Sequence, residues 1–164
     1  MEHQESEHKR NRTSISFDGC TPSSEKASRA ARGSSRKADT KPERFLRAEL
    51  WDRGFRYLKN DKSVKGKPDI VFRAARVVVF CDGDFWHGKD WSRRKAKLSR
   101  GNNPRYWLRK IERNIERDRQ IDRELRSDGW IVLRFWESSI INDVAHVADL
   151  VAETVRGTRR CRLE

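Results

Sequence analysis

Carboxylates stand at three places in this 164-residue chain where an ordinary fold has little use for them. Asp69 follows Gly66-Lys67-Pro68 and directly precedes an apolar run. A turn accounts for an Asp after Pro, and so does a hard oxygen ligand for a divalent cation, held rigidly at a strand edge. Asp82 belongs to Phe80-Cys81-Asp82-Gly83-Asp84-Phe85-Trp86-His87, where a routine Asp-Gly turn signal is followed by two adjacent aromatic rings and an isolated imidazole. Asp118 lies on the stripe 108, 111, 115, 118, 122, 125 of a helical stretch, and both it and Asp122 take positions where apolar residues are expected. Either that end of the stripe faces solvent, with Arg117 and Arg119 neutralising it, or Asp118 points into a polar site shared with His87. In the second case the carboxylate fixes the orientation and tautomer of a catalytic imidazole.

Cations crowd the same region. Lys89, Arg93, Arg94, Lys95, Lys97, Arg100, Arg105, Arg109 and Lys110 are interrupted by Asp90 and interleaved with Trp91, Tyr106 and Trp107. A charge run is commonly just a solvated face. Beside a carboxylate–His constellation, it better suits a phosphodiester substrate whose backbone phosphates the cations hold. Consecutive loop residues cannot easily aim both rings into one core. At least one of Phe85 and Trp86 is therefore expected to be exposed, as a surface that stacks on bases or wedges between them.

The elements that must position these groups show in period and punctuation. Residues 1–38 are polar, lack helical or strand period, and read as a disordered tail. Thr40-Lys41-Pro42-Glu43 has capping-box spacing, and Leu46 and Leu50 mark the apolar side of a helix that Gly54 stops after about Arg53. IVF at 70–72 and RVVVFC at 76–81 predict a hairpin joined at Ala74-Ala75, with Val77 to Phe80 apolar on both faces as in a covered sheet. A loop is expected from Asp82 to about Asn103. A long helix over Pro104–Ser127 follows, then a strand, WIVLRFWE, then an amphipathic helix capped by Asp143 and bearing Val144, Val147, Val151 and Val155. The expected fold class is α/β: a mixed central sheet flanked by helices over residues 39–156, with a C-terminal tail at 157–164.

Composition narrows the classes further. Lys and Arg number 38 against 25 Asp and Glu, a net charge of +13. Residues 1–40 hold 8 basic and 6 acidic side chains, so +11 belongs to the expected domain rather than to its tail. No apolar run approaches the roughly 18 to 20 residues that cross a bilayer, and the N-terminus lacks the apolar centre of a secretory signal. Three distant cysteines, Cys20, Cys81 and Cys161, argue against a disulfide framework and against a Cys-rich zinc module. A reducing cytosol, a polyanionic partner and no membrane are the expectation.

Taken in order, these motifs resemble a known family. Asp39-Thr40-Lys41-Pro42-Glu43, Pro68-Asp69-Ile70, the segment Val79 to His87, the segment Trp107 to Asp118 with Asn114, and Gly129 to Glu137 are similar to the very-short-patch-repair (Vsr) DNA mismatch endonucleases, from about Ser35 to Glu137. The resemblance implies a restriction-endonuclease-like fold and Mg²⁺-dependent nicking of double-stranded DNA beside a T·G mismatch. It implies Asp69 as the principal metal-binding carboxylate, with the backbone carbonyl of Cys81 as a further ligand. His87 would activate the attacking water, with Asp118 as its acidic partner and Asp82 as another active-site polar residue. Glu43 would lie near the metal, although a capping-box Glu explains it equally. Phe85 and Trp86 would form the aromatic wedge, and Lys89, Arg93, Arg94, Lys95 and Lys97 would hold DNA.

Two departures from the family pattern stand out. Members commonly hold a structural zinc with Cys and His around this loop, whereas the corresponding positions here are Asp84, Lys89, Trp91 and Ser138. No structural zinc is expected, and the loop must be ordered otherwise, by packing of Trp91 or on DNA. The wedge residue that members draw from the N-terminal arm is not evident, and Arg32 falls near its place. Rival readings are a related nuclease with a different DNA substrate, as in phage defence, and a non-catalytic basic DNA-binding module.

Overall fold

The computed structural model describes residues 38–160, so the expected tail over 1–38 falls, but for its last residue, outside the described residues. Helix α1 (Lys41–Asp52) buries Leu46 and Leu50 completely and stops where Gly54 adopts φ +83°. The short strand β1 (Leu58–Lys59) pairs antiparallel with β2 (Ile70–Phe72), and β2 pairs antiparallel with β3 (Val77–Asp82) in the register Ile70↔Val79, Val71↔Val78, Phe72↔Val77. This is the predicted hairpin, closed by an Arg76 N–H that donates to the Arg73 carbonyl.

Helices α2 (Trp91–Leu98) and α3 (Pro104–Ser127) cross over to β4 (Ile131–Trp136), which runs parallel to β3 with Phe80↔Arg134 and Asp82↔Trp136 in register. Two helices, α4 (Glu137–Asn142) and α5 (Val144–Arg160), complete the described chain. The sheet order is β1-β2-β3-β4.

Alternation along β3 divides the core in two. Val77 and Val79 pack with Ile70, Phe72, Leu46, Leu50, Ile140, Val151 and Val155, so α1, α4 and α5 cover one face. Val78 and Phe80 pack with Val71, Val132 and Leu125, so α3 covers the other. The expectation of a mixed sheet with β3 apolar on both faces holds.

Three local expectations change. The loop from Asp82 contains α2, which no apolar period announces because none of its residues is buried. The last strand ends at Trp136, and Glu137 opens α4 instead. β1 is too short to show a period. Asp143 does cap α5, accepting from the His146 N–H at 2.9 Å. The capping box at Thr40 is not formed: the Thr40 hydroxyl donates to Glu43 at 2.7 Å and accepts nothing from the helix backbone.

Candidate active site

The C-terminal end of β3 delivers Asp82 to the α3 side of the sheet, and the chain then folds back on α3. Tight backbone bonds shape this turn, with the His87 N–H donating to Gly83 at 3.1 Å and the Lys89 N–H to Asp84 at 3.0 Å. Gly88, buried and at φ +74°, lies so near α3 that a Cβ there would come within 2.5 Å of Ile115. Only glycine permits both that backbone angle and that approach. Asn114 donates to the Trp86 carbonyl at 3.0 Å, pinning the loop to α3 a second time.

The imidazole is thereby brought to α3. His87 Nδ1 is 2.6 Å from Asp118 Oδ2 and 3.4 Å from Asp82 Oδ1. Arg117 donates to Asp118 Oδ1 at 2.9 Å, so each oxygen of that carboxylate has a partner. Burial works against the charged imidazole, but the bond to Asp118 and the negative charges of Asp82 and Asp118 outweigh it, leaving the His87 pKa above its usual value. Burial likewise opposes ionisation of Asp118, yet His87 and Arg117 hold its carboxyl below the usual range. His87 Nε2 has no hydrogen-bond partner among the described residues. His87, Asp118, Asp82, Asp122, Arg119 and Arg134 line an open cleft of about 190 Å³.

Asp69 lies near enough to Asp82 for the two charges to act on each other. Its Oδ2 accepts the Cys81 N–H at 2.7 Å, while Oδ1 accepts nothing from the described residues. Burial, reinforced by the nearby charges of Glu43 and Asp82, pushes its carboxyl up to about 7. Glu43 is 3% exposed, reaches inward from α1, and accepts from the Asp39 N–H at 2.9 Å and from Arg47 at 3.5 Å. Asp82, 5% exposed, is also raised by burial, with His87 and Arg134 opposing the shift.

Glu43, Asp69 and Asp82 thus concentrate negative charge that Arg47 and Arg134 offset only in part. Among the described residues, no three His, Cys, Asp or Glu side chains close on a common point as a complete metal cage. An open Asp69 oxygen in an acidic surround fits a hard cation that keeps most of its own waters. The Cys81 thiol, held well above its usual pKa by burial, is no thiolate ligand.

Around Asp84, Lys89 and Ser138 the loop is held by polar bonds. Lys89 Nζ lies 3.4 Å from Asp84 and hydrogen-bonds Ser138 Oγ. Asp84 also accepts from the Ser138 N–H at 3.3 Å and donates its own N–H to Glu137 at 3.0 Å. A lysine ammonium therefore ties the loop to the start of α4. Trp91 is half-buried at the start of α2.

Phe85 and Trp86 are both half-buried, with rings 5.1 Å apart at 88°, and each also meets Trp107, at 5.7 and 6.0 Å. The perpendicular geometry lets consecutive residues share one aromatic cluster, and neither ring is fully exposed. Arg94 and Lys110 stand over this cluster, at 5.5 Å from Phe85 and from Trp86 respectively. Arg93, Lys95 and Lys97 are exposed on α2, whereas Lys89 is turned inward.

Arg134 is the residue that sequence reasoning missed. Its Nη1 donates to both oxygens of Asp82, each at 2.9 Å, and its Nε to Asp122 at 2.8 Å. This pairing explains the second acid on the apolar stripe. The available signal was a cation in the middle of WIVLRFW.

Comparison with known proteins gives the family. A family model described as DNA mismatch endonuclease Vsr matches residues 17–93. The chain is 45% identical over 123 residues to the type II nicking enzyme V.NmeDIP of Neisseria meningitidis serogroup C, covering 75% of this chain and 82% of that protein. It is 40% identical over 127 residues to the type II nicking enzyme V.HpaIIP of Haemophilus parainfluenzae, covering 77% and 87%. With the DNA mismatch endonuclease Vsr of Escherichia coli it shares 36% identity over 102 residues, covering 62% and 64%. This chain is therefore a DNA endonuclease and belongs to the Vsr family of DNA mismatch endonucleases.

Proposed function

We propose that the protein nicks one strand of double-stranded DNA beside a T·G mispair, acting as a monomer in the bacterial cytoplasm with Mg²⁺ as cofactor. The single observation that carries the reading is the His87–Asp118 pair at 2.6 Å, set in a cleft that shares Asp82 with the acidic group around Asp69. Asp69 and the Cys81 carbonyl would hold the cation, with Glu43 nearby. When bound, Mg²⁺ supplies positive charge against that developing on the phosphate.

The chain's own groups do the rest. Asp118 holds the proton of His87 on Nδ1, so Nε2 is the basic nitrogen. A water attacks phosphorus and passes a proton to Nε2. The opposite P–O ester bond breaks, and the leaving oxygen takes a proton from solvent, giving one phosphomonoester end and one hydroxyl end. Arg93, Lys95 and Lys97 offer phosphate contacts that carry little base information. Phe85 and Trp86 would enter the base stack, where unstacking costs least at a mispair.

The test uses supercoiled plasmid and matched oligonucleotide duplexes with and without one T·G pair, each in Mg²⁺ and in EDTA. Nicking confined to Mg²⁺ and faster on the mispaired duplex is expected. Equal rates on both duplexes would sink the mismatch preference, and binding without nicking would favour a non-catalytic module.

A further inference from the structure

A largely buried guanidinium is an expensive way to fill a strand position. Arg134 lies among Ile131, Val132, Leu133 and Phe135 on β4, with its guanidinium 4.2 Å from the centre of the Phe80 ring. Its Nη2 is buried without a hydrogen-bond partner among the described residues, so the side chain is not fully satisfied where it stands. Replacing a buried ion pair by apolar groups is often neutral or stabilising. Stability alone is thus a poor reason for an arginine here.

Its position beside the imidazole supplies a better one. The ring nitrogen Nδ1 of a neutral imidazole carries one proton, and two carboxylates stand near it: Asp118 Oδ2 at 2.6 Å and Asp82 Oδ1 at 3.4 Å. If both competed, the ring would have two orientations, and Nε2 would have no fixed direction. Arg134 Nη1 engages both Asp82 oxygens, at 2.9 Å each. Its Nε is tied to Asp122 at 2.8 Å, and this bond anchors the guanidinium to α3, the same helix that bears Asp118.

We propose that Arg134 is a positioning residue of the nicking reaction: by occupying both oxygens of Asp82, it leaves Asp118 as the sole acceptor of the His87 Nδ1 proton and so fixes the direction of Nε2 in the cleft. This rests on the reading of His87 as the water-activating base. It assigns Arg134 no contact with DNA and no contact with the reacting phosphate. Asp82 and Arg134 act as one unit: Arg134 matters only while a carboxylate stands at position 82.

The experiment measures single-turnover nicking of a T·G duplex at saturating enzyme, with the half-saturating protein concentration measured in parallel. Arg134→Met should lower the rate on the order of 10²-fold, as expected of a misdirected catalytic group, with half-saturation unchanged. The double variant D82N/R134M should nick at the rate of D82N alone, because with no carboxylate at position 82 there is nothing left to restrain. This comparison holds even if R134M by itself does not fold, since the double variant leaves no buried carboxylate at position 82 without its arginine.

Wild-type rate in R134M, or a further tenfold or greater loss on adding R134M to D82N, would overturn the proposal. The second result would instead place Arg134 on the phosphate. His87→Ala separates the two levels. Wild-type nicking in H87A defeats the base assignment itself, whereas an inactive H87A combined with a non-additive Asp82–Arg134 pair supports both.

Discussion

His87 Nδ1 and Asp118 Oδ2 meet at 2.6 Å although 31 residues separate them in the chain. The loop brings one and a helix the other, and Gly88 and Asn114 hold the two elements together. Replacing Asp118 by Asn leaves the shape but presents an amide that can donate to Nδ1, which favours the wrong tautomer. Asp118→Asn should lower the nicking rate by about 10² to 10⁴-fold. Fluorescence anisotropy should show unchanged DNA affinity, and near-normal nicking would remove Asp118 from the mechanism.

Asp69→Ala should abolish nicking while DNA binding stays the same or tightens. The substitution removes the proposed principal metal ligand and also a negative charge that a phosphate would otherwise meet. Gel-shift and plasmid-nicking assays on one preparation check both halves. Wild-type activity in this variant would refute the assignment.

Burial raises the Asp69 carboxyl from its ordinary 3.8 to about 7, so between those values the folded chain keeps a proton that the unfolded chain releases. Stability of the metal-free protein should therefore fall as pH rises from 5 to 8. His87, raised above 6.5, acts with the same sign: its stabilisation is present at low pH and lost as pH climbs through its folded value. Calorimetry should show Tm declining over this range, with a shallower slope in Asp69→Asn. A flat Tm in the wild type would contradict the burial of Asp69. Nicking should run the other way, weakening as pH falls through the raised His87 value, because a protonated Nε2 accepts nothing.

Trp86→Ala should narrow the difference between mispaired and matched duplexes more than it lowers general affinity. Trp86 belongs to a four-ring cluster with Phe85, Tyr106 and Trp107, so Tm must be followed alongside the rate ratio. An unchanged ratio in a folded variant would count against the wedge.

Lys89→Met cuts the link between the loop and Ser138. A loss of about 1 to 3 kcal/mol is expected, as for a charged hydrogen bond removed from a partly buried site, with nicking reduced through the displaced His87. Protein grown without zinc should melt at the same temperature as protein grown with it. A zinc-dependent Tm would overturn the assignment of the Lys89 ammonium as the group that ties this loop down.

The surface around α2 was less legible than the core. Helix α2 buries none of its residues, so its sequence carries charge but no period from which to infer a helix. Glu137, expected at the end of the last strand, instead accepts the Asp84 N–H and opens α4. Phe85 and Trp86 were readable as unusual but not as partners of Trp107, since ring contacts across a loop and a helix leave no spacing signature.

By itself, the sequence determined the hairpin, the long helix, the strand that follows it and the identity of the acids and imidazole, because periodicity and turn residues act locally. Tertiary structure alone decided between the two readings of Asp118, that Asp69 would be driven towards neutrality by burial, that Lys89 would turn inward, and that Arg134 would bind Asp82. Each of these depends on distance and dielectric between segments far apart in the chain, and neither quantity is written in the order of residues.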